Sequence, residues 1–263
     1  MTTRSNAQAI PREREATTDE ITALARGLAV LRRIATSDAP VSNRELAELT
    51  GIPKPTVSRI TATLVSAGFL FQLPDSERFV LTASVLELSN GFLRNFDIRA
   101  RSRPFLVELA EKTSLSVHLA VRDRLDMVAI DVIRPRSAVL VTRLETGSRM
   151  DIARTAVGRA YLAALEDDAR RELIGALQAA AGDDWPFVVS RLNAALADIA
   201  QHGYAIAAGF VAPTGQCYAV NCGGSAHQCT PDFLRSVAVP ALRECIAKIT
   251  REIGGAAWPN LAR

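Results

Sequence analysis

Apolar residues recur at helical spacing near the start of the chain. Leu24, Leu28, Leu31 and Ile34 predict a helix over about residues 20–36, and Asp38-Ala39-Pro40 ends it. Ser42-Asn43-Arg44-Glu45 has the form of a capping box, in which a serine and a glutamate each satisfy a free N–H of the helix start, so a second helix begins there. Gly51 stops it, because glycine adopts a left-handed conformation at the least cost. Pro55 suits the first turn of a third helix, where its missing N–H goes unused; that helix runs to about Ala67. Residues 69–73 and 78–81 then read as two strands joined by the turn Pro74-Asp75-Ser76-Glu77. A helical stretch with few breakers follows, over about residues 83–96.

The second half of the chain alternates between the two periods. A helix is expected over 100–113, then strands over 116–121 and 126–133 around the charged turn Arg122-Asp123-Arg124. A third strand is expected over 138–144. Helices are expected over 156–165, 167–180 and 187–202, the last ended by Gly203, and strands over 204–211 and 216–222. Thr230-Pro231 caps a long final helix reaching about Ile253. Strands in a row with helices on their flanks make this an α+β fold. The domain organisation is a tail (1–19), a small helical and hairpin domain (20–82), a connector helix (83–99) and a sheet domain (100–255).

With 48% hydrophobic and 22% charged residues, the chain can bury a core and is not disordered as a whole. A net charge of +3 is too small to argue for nucleic acid, so any such argument must come from local pattern. No apolar run approaches the roughly eighteen residues of a membrane span. Residues 1–19 are polar and lack the apolar stretch of a signal peptide. With four cysteines (217, 222, 229 and 245) and no export signal, a reduced, cytoplasmic protein is expected.

The sharpest local pattern lies between Asn43 and Ala62. A helix-turn-helix needs a small residue where its helices cross, a residue tolerant of positive φ in the turn, and apolar residues on the inner face of the second helix. Ala47, Gly51, and Val57 with Ile60 and Leu64 supply them, and Leu46 and Ile52 close the core. The outer face of the 55–67 helix is then free to enter a major groove, about 12 Å wide. Lys54, Thr56, Ser58, Arg59 and Thr63 lie on or beside that face, with Ser42 and Arg44 on the preceding helix and Arg78 on the hairpin as further DNA contacts. No acidic residue occurs from Gly51 through Leu73. Asp75 and Glu77 at the hairpin tip are poor neighbours for phosphate.

These residues resemble the IclR family of bacterial regulators. The resemblance spans about residues 20–255. It rests on Ala25-Arg26-Gly27-Leu28-Ala29-Val30-Leu31, the Leu46–Ile52 and Lys54–Arg59 segments and Leu64–Phe69, and in the second half on Arg154–Leu162, Gly203-Tyr204 and Tyr218–Gly224. It implies a winged helix-turn-helix followed by a GAF-like effector domain, dimers or tetramers, and a double-stranded DNA operator as partner. It also implies a pocket shared by the loop Arg154-Thr155-Ala156-Val157-Gly158 and the strand holding Asn221 and Cys222. The sequence departs from the family pattern after Tyr204, where the link to the next strand is short, and in Asn221 and Gly223, where many members have serines. The first free N–H groups of the helix at Ala156, the Arg154 guanidinium and Thr155 favour a small organic acid, possibly an aromatic one, as effector. No cofactor is expected. One rival reading is a metal-responsive regulator using Cys217, Cys222, Cys229 and His227, whose spacings fit no standard zinc pattern. Another is a thiol enzyme pairing His118 with Cys217 or Cys222. On a strand, Cys217 and Cys222 would face opposite sides. Asp131 is read as a paired structural acid or a pocket residue.

Overall fold

The computed structural model describes residues 21–94, 97–135, 144–202, 207–225 and 227–257, and these divide into two compact units at the end of the connector helix. The expected N-terminal tail, residues 138–143 of the expected third strand, and Gly203 lie outside the described residues.

The first unit holds helix α1 (Thr22–Ala35), strand β1 (Val41–Ser42), helices α2 (Asn43–Thr50) and α3 (Lys54–Ser66), strands β2 (Leu70–Gln72) and β3 (Arg78–Leu81), and helix α4 (Ser84–Arg94). Both halves of the expected capping box are formed at the start of α2, and Gly51 ends it with φ of 68°. A single core joins these elements. Val30, Ile34, Leu46, Val57, Leu70 and Phe79 are buried in it, with Ala47, Ile60 and Leu64 packed against them. Burying each such side chain contributes about 1.5–3 kcal/mol relative to leaving it in water. The helical stripe on α1 is rotated from the expectation. Val30 and Ile34 are buried, whereas Leu24 and Leu28 are exposed. β1 is a further difference: it pairs antiparallel with β3 and completes a three-stranded sheet in the order β1-β3-β2.

The second unit is built on a six-stranded antiparallel sheet in the order β6-β5-β4-β8-β7-β9. Helix α5 (Asp97–Thr113) leads into the long hairpin of β4 (Ser116–Asp123) and β5 (Asp126–Ile133), followed by the short β6 (Arg149–Asp151). Helices α6 (Ala156–Ala163), α7 (Asp167–Ala181) and α8 (Trp185–His202) come next, then β7 (Ala207–Val211) and β8 (Cys217–Gly223). The final helical run is α9 (Pro231–Phe233), a π-helical turn (Leu234–Ala238) and α10 (Val239–Ile253), and β9 (Ala256–Ala257) closes the edge. Thr230 caps this run as expected.

Helices cover both faces of the sheet, α5 and α10 on one and α6 and α8 on the other. The second face holds the core of Ala120, Met127, Ala129, Val157, Tyr161, Leu162, Leu173, Trp185, Leu192 and Ala219. The start of α6 sits unusually close to the chain before it. A Cβ on Gly158 would lie 2.3 Å from both Cα and the carbonyl oxygen of Ile152, so only glycine fits.

Candidate functional site

The first unit sorts the expected DNA contacts into two groups. On α3, Lys54, Ser58 and Arg59 are exposed and Thr56 is half-buried, and none of their side chains has a hydrogen-bond or ion-pair partner among the described residues. Val57 and Thr61 hold the opposite face of α3 inward, and the Thr61 hydroxyl donates to Asn43 Oδ1 at 2.9 Å. The outer row is thus a set of free donors on a helix whose inner face is fixed.

The other four residues are engaged within the unit. Ser42 Oγ accepts from the Glu45 N–H and donates to its carboxylate. Arg44 pairs with Glu48 one turn on. Thr63 donates to the Arg59 carbonyl. Arg78 has partners distant in sequence. Its guanidinium grips both oxygens of Glu45 at 2.9 and 3.0 Å and donates to the Pro40 carbonyl at 2.7 Å. The strongest influences on Glu45 are the backbone N–H and hydroxyl of Ser42, which with Arg78 hold its carboxyl below the usual carboxylate range. Arg78 therefore staples the hairpin to the start of α2.

In the second unit α6, which begins at Ala156, packs against β8, which holds Asn221. Thr155 is spent locally, since its hydroxyl donates to the Asp151 carbonyl at 2.6 Å and accepts from the Gly158 N–H at 3.3 Å. Arg154 is exposed and pairs with Asp184 at 3.2 Å. It opens on a cleft of about 340 Å³ with Asp126, Asp151, Trp185 and Val188, whose lining does not include Asn221. Val157 and Gly158 are buried in the core, and Ala156 is half-buried at the helix start.

Sheet register decides where Asn221 and Cys222 point. On β4 and β8, His118 stands opposite Asn221, Ala120 opposite Ala219, and Val117 opposite Cys222. Ala120 and Ala219 belong to the core under α6, so strand alternation puts His118, Asn221 and Gly223 on that same face. Cys222 lies on the other face, 3% exposed, and does not line a site with Asn221. Burial, reinforced by Cys245 and Cys229, pushes its thiol well above the ordinary range. Cys217 packs on the α6 side. The two cysteines therefore cannot converge on one metal, His227 is exposed, and among the described residues no group of three or more His, Cys, Asp or Glu could hold an ion. Burial also raises the Cys217 and Cys245 thiols, the latter to about 12, which disfavours the thiolate form.

His118, which the sequence offered only in the rival thiol reading, is buried in the sheet. It is 2% exposed and faces Asn221 across the strand, whose side chain is its hydrogen-bond partner. Burial first, and then the charge of Arg134, lower the His118 pKa, with Asn221 opposing. Arg134 is held by Glu145 at 2.9 Å. Asp131, on the opposite face of β5, is a structural acid: Arg103 reaches it at 2.5 Å and Arg99 at 3.6 Å.

Comparison with known proteins agrees with both halves. Residues 23–74 match the family model for the IclR helix-turn-helix domain, and residues 90–251 match that of the bacterial transcriptional regulator IclR C-terminal domain. The HTH-type transcriptional regulator TsaQ1/TsaQ2 of Comamonas testosteroni is 32% identical over 262 residues, covering 94% of each protein. The crystal structure of an IclR-family regulator from Brucella abortus superposes with a TM-score of 0.75 at 34% identity, over 88% of this chain and 92% of that one. An IclR homologue from Microbacterium hydrocarbonoxydans, crystallised with 4-hydroxybenzoate, shares the fold at 18% identity, with a TM-score of 0.65 over 88% and 99% of the two chains.

Proposed function

The chain belongs to the IclR family of bacterial transcriptional regulators, and from that premise we propose how its two units divide the work. The protein is a DNA-binding regulator whose operator binding is modulated by a small molecule; it is not an enzyme. In our reading α3 enters the major groove, Arg59 reads a base edge, and Lys54, Thr56 and Ser58 meet phosphate or base. The observation that carries this is the row of side chains on α3 without intramolecular partners, on a helix anchored by Val57, Thr61 and the α2 cap. Free donors on a fixed helix cost no internal contact when they turn to DNA. Ser42, Arg44, Thr63 and Arg78 serve by orienting the unit.

The effector, a small organic acid, binds on the sheet face of the second unit that carries His118 and Asn221. The 4-hydroxybenzoate complex of the Microbacterium homologue supports a ligand of that size. Arg154 and Thr155 shape the neighbouring loop.

A single recognition helix covers only a few base pairs, so specificity calls for two copies. The exposed Leu24 and Leu28 on α1 and Leu86, Leu88 and Phe92 on α4 support self-association to a dimer or tetramer. No helix of the described residues is long and apolar enough to cross a membrane, and the cytoplasm is the compartment such a regulator works in. Footprinting of the full chain on the DNA beside its gene tests this reading. Two protected half-sites related by two-fold symmetry are expected, together with a dimer or larger species in sedimentation. A monomer at micromolar concentration with one unsymmetrical footprint would overturn it.

A further inference from the structure

The cleft of about 340 Å³ in the second unit has the volume of a small-molecule site. It lies between the tip of the β4–β5 hairpin, the end of β6 and the corner where α7 meets α8. Asn221 is remote from it. Its partner on β4 is His118, and the hairpin tip begins at Asp123, roughly 16 Å further along the strand. Leu125, Leu177, Trp185 and Val188 give the cleft an apolar wall, and Asp126, Asp151, Asp184 and Arg154 share the lining. Buried tryptophans usually find a partner for the indole N–H, a group that can only donate. Trp185 is 9% exposed, yet its N–H has no hydrogen-bond partner among the described residues.

The charged groups keep capacity for a ligand. The Arg154 guanidinium makes one hydrogen bond, from Nη2 to Asp184 Oδ2, and its other N–H groups stay available. Asp126 accepts from Arg149 at Oδ2 and Asp151 accepts from the Arg154 backbone N–H at Oδ1, so each has a second oxygen to offer. Three carboxylates against one guanidinium give the lining a negative surplus, which favours a ligand with a positive charge. The donors of Arg154 and Trp185 favour one that also has a carboxylate. The apolar wall favours a nonpolar body. A zwitterionic α-amino acid with a bulky apolar side chain has all three features. We propose that this cleft is a second ligand site and that it takes such an amino acid. The carboxylate lies on Arg154 and Trp185, the ammonium on Asp126 and Asp151, and the side chain against Leu177 and Val188. Asp184 holds the guanidinium in place.

This site is independent of the His118 face, and its test reads the cleft itself. The chain has two tryptophans, Trp185 and Trp258, so Trp258→Phe leaves an emission that reports on the cleft. The full chain with that substitution is titrated, by fluorescence and calorimetry, with L-leucine and L-phenylalanine. Isopentylamine and phenethylamine serve as partners without the carboxylate, and 4-methylpentanoate and 3-phenylpropanoate as partners without the ammonium. At least one amino acid is expected to bind saturably and about ten-fold or more tightly than its amine and its acid, as a charge-assisted hydrogen bond allows. Arg154→Gln should bring the amino acid to within about two-fold of its amine and leave the amine as it was. A side chain that served only the fold would weaken both. Ala181→Phe, on the cleft lining, should abolish binding of every compound in a protein that circular dichroism shows to be folded. An amine or an acid that binds as tightly as the amino acid would overturn the proposal. So would the lack of any saturable signal with both amino acids, binding that persists in folded Ala181→Phe, or an amino acid unaffected by Arg154→Gln.

Discussion

Two arginines in the DNA-binding unit carry the same charge and have opposite prospects. Arg59 is exposed on α3 and bonds to nothing in the described residues, whereas Arg78 is tied to Glu45 and Pro40. Replacing Arg59 by alanine therefore removes no internal contact, and the unfolding free energy should move by no more than about 0.5 kcal/mol. If the side chain reads a guanine, its loss costs about 1–3 kcal/mol of operator binding, an affinity drop of about five- to 150-fold. Binding to random DNA should fall far less, because only the phosphate share of the contact is lost there. Arg78→Ala should behave the other way round: it loosens the hairpin from the α2 cap, lowers the melting temperature, and weakens operator and random DNA together. Fluorescence anisotropy on operator and shuffled duplexes, with circular dichroism melts of both variants, reads all of these quantities. An Arg59→Ala protein that keeps parental operator affinity would refute the recognition role. An Arg78→Ala protein that melts like the parent and loses only operator affinity would refute the staple.

Further predictions follow from burial and charge. Leu46 is fully buried where α2 meets α1 and α3, so Leu46→Ala should cost about 2–5 kcal/mol and abolish DNA binding at growth temperature, as seen by melts and anisotropy. Gly158→Ala forces a Cβ against the Ile152 backbone and should destabilise the second unit by about 3 kcal/mol, leaving the transition of the first unit in place by calorimetry. The folded-state pKa of His118 is depressed, so the unfolded chain binds the proton more readily. Stability should be full above about pH 6.5 and should fall as pH drops from there towards the folded value. His118→Leu should flatten that part of the stability–pH curve.

The DNA-binding unit was legible in the sequence because its logic is local. A capping box, a left-handed glycine and apolar positions three and four apart all lie within twenty or so residues and constrain one another. What stayed hidden depends on partners distant in sequence. β1, β6 and β9 are only two or three residues long and exist because another strand pairs with them. Arg78 looked like a phosphate contact until its partner, 33 positions earlier, was placed beside it. In the second unit Thr155 and Arg154 had the chemistry of an anion site, but Asp151 and Asp184 claim them. His118 lay in an alternating strand like many others, and only the register sets it opposite Asn221. Cys222 was paired with its neighbour Asn221 as a pocket residue, and strand alternation puts them on opposite faces.

The central claim is sequence-specific recognition of DNA by α3, and affinity for two duplexes of equal length tests it most directly. One duplex carries the region beside the gene and the other the same bases shuffled, both measured with the full chain at physiological salt. The account predicts that the first binds at least about a thousand-fold more tightly, the lower bound for a specific regulator. Equal affinity for the two duplexes would contradict it.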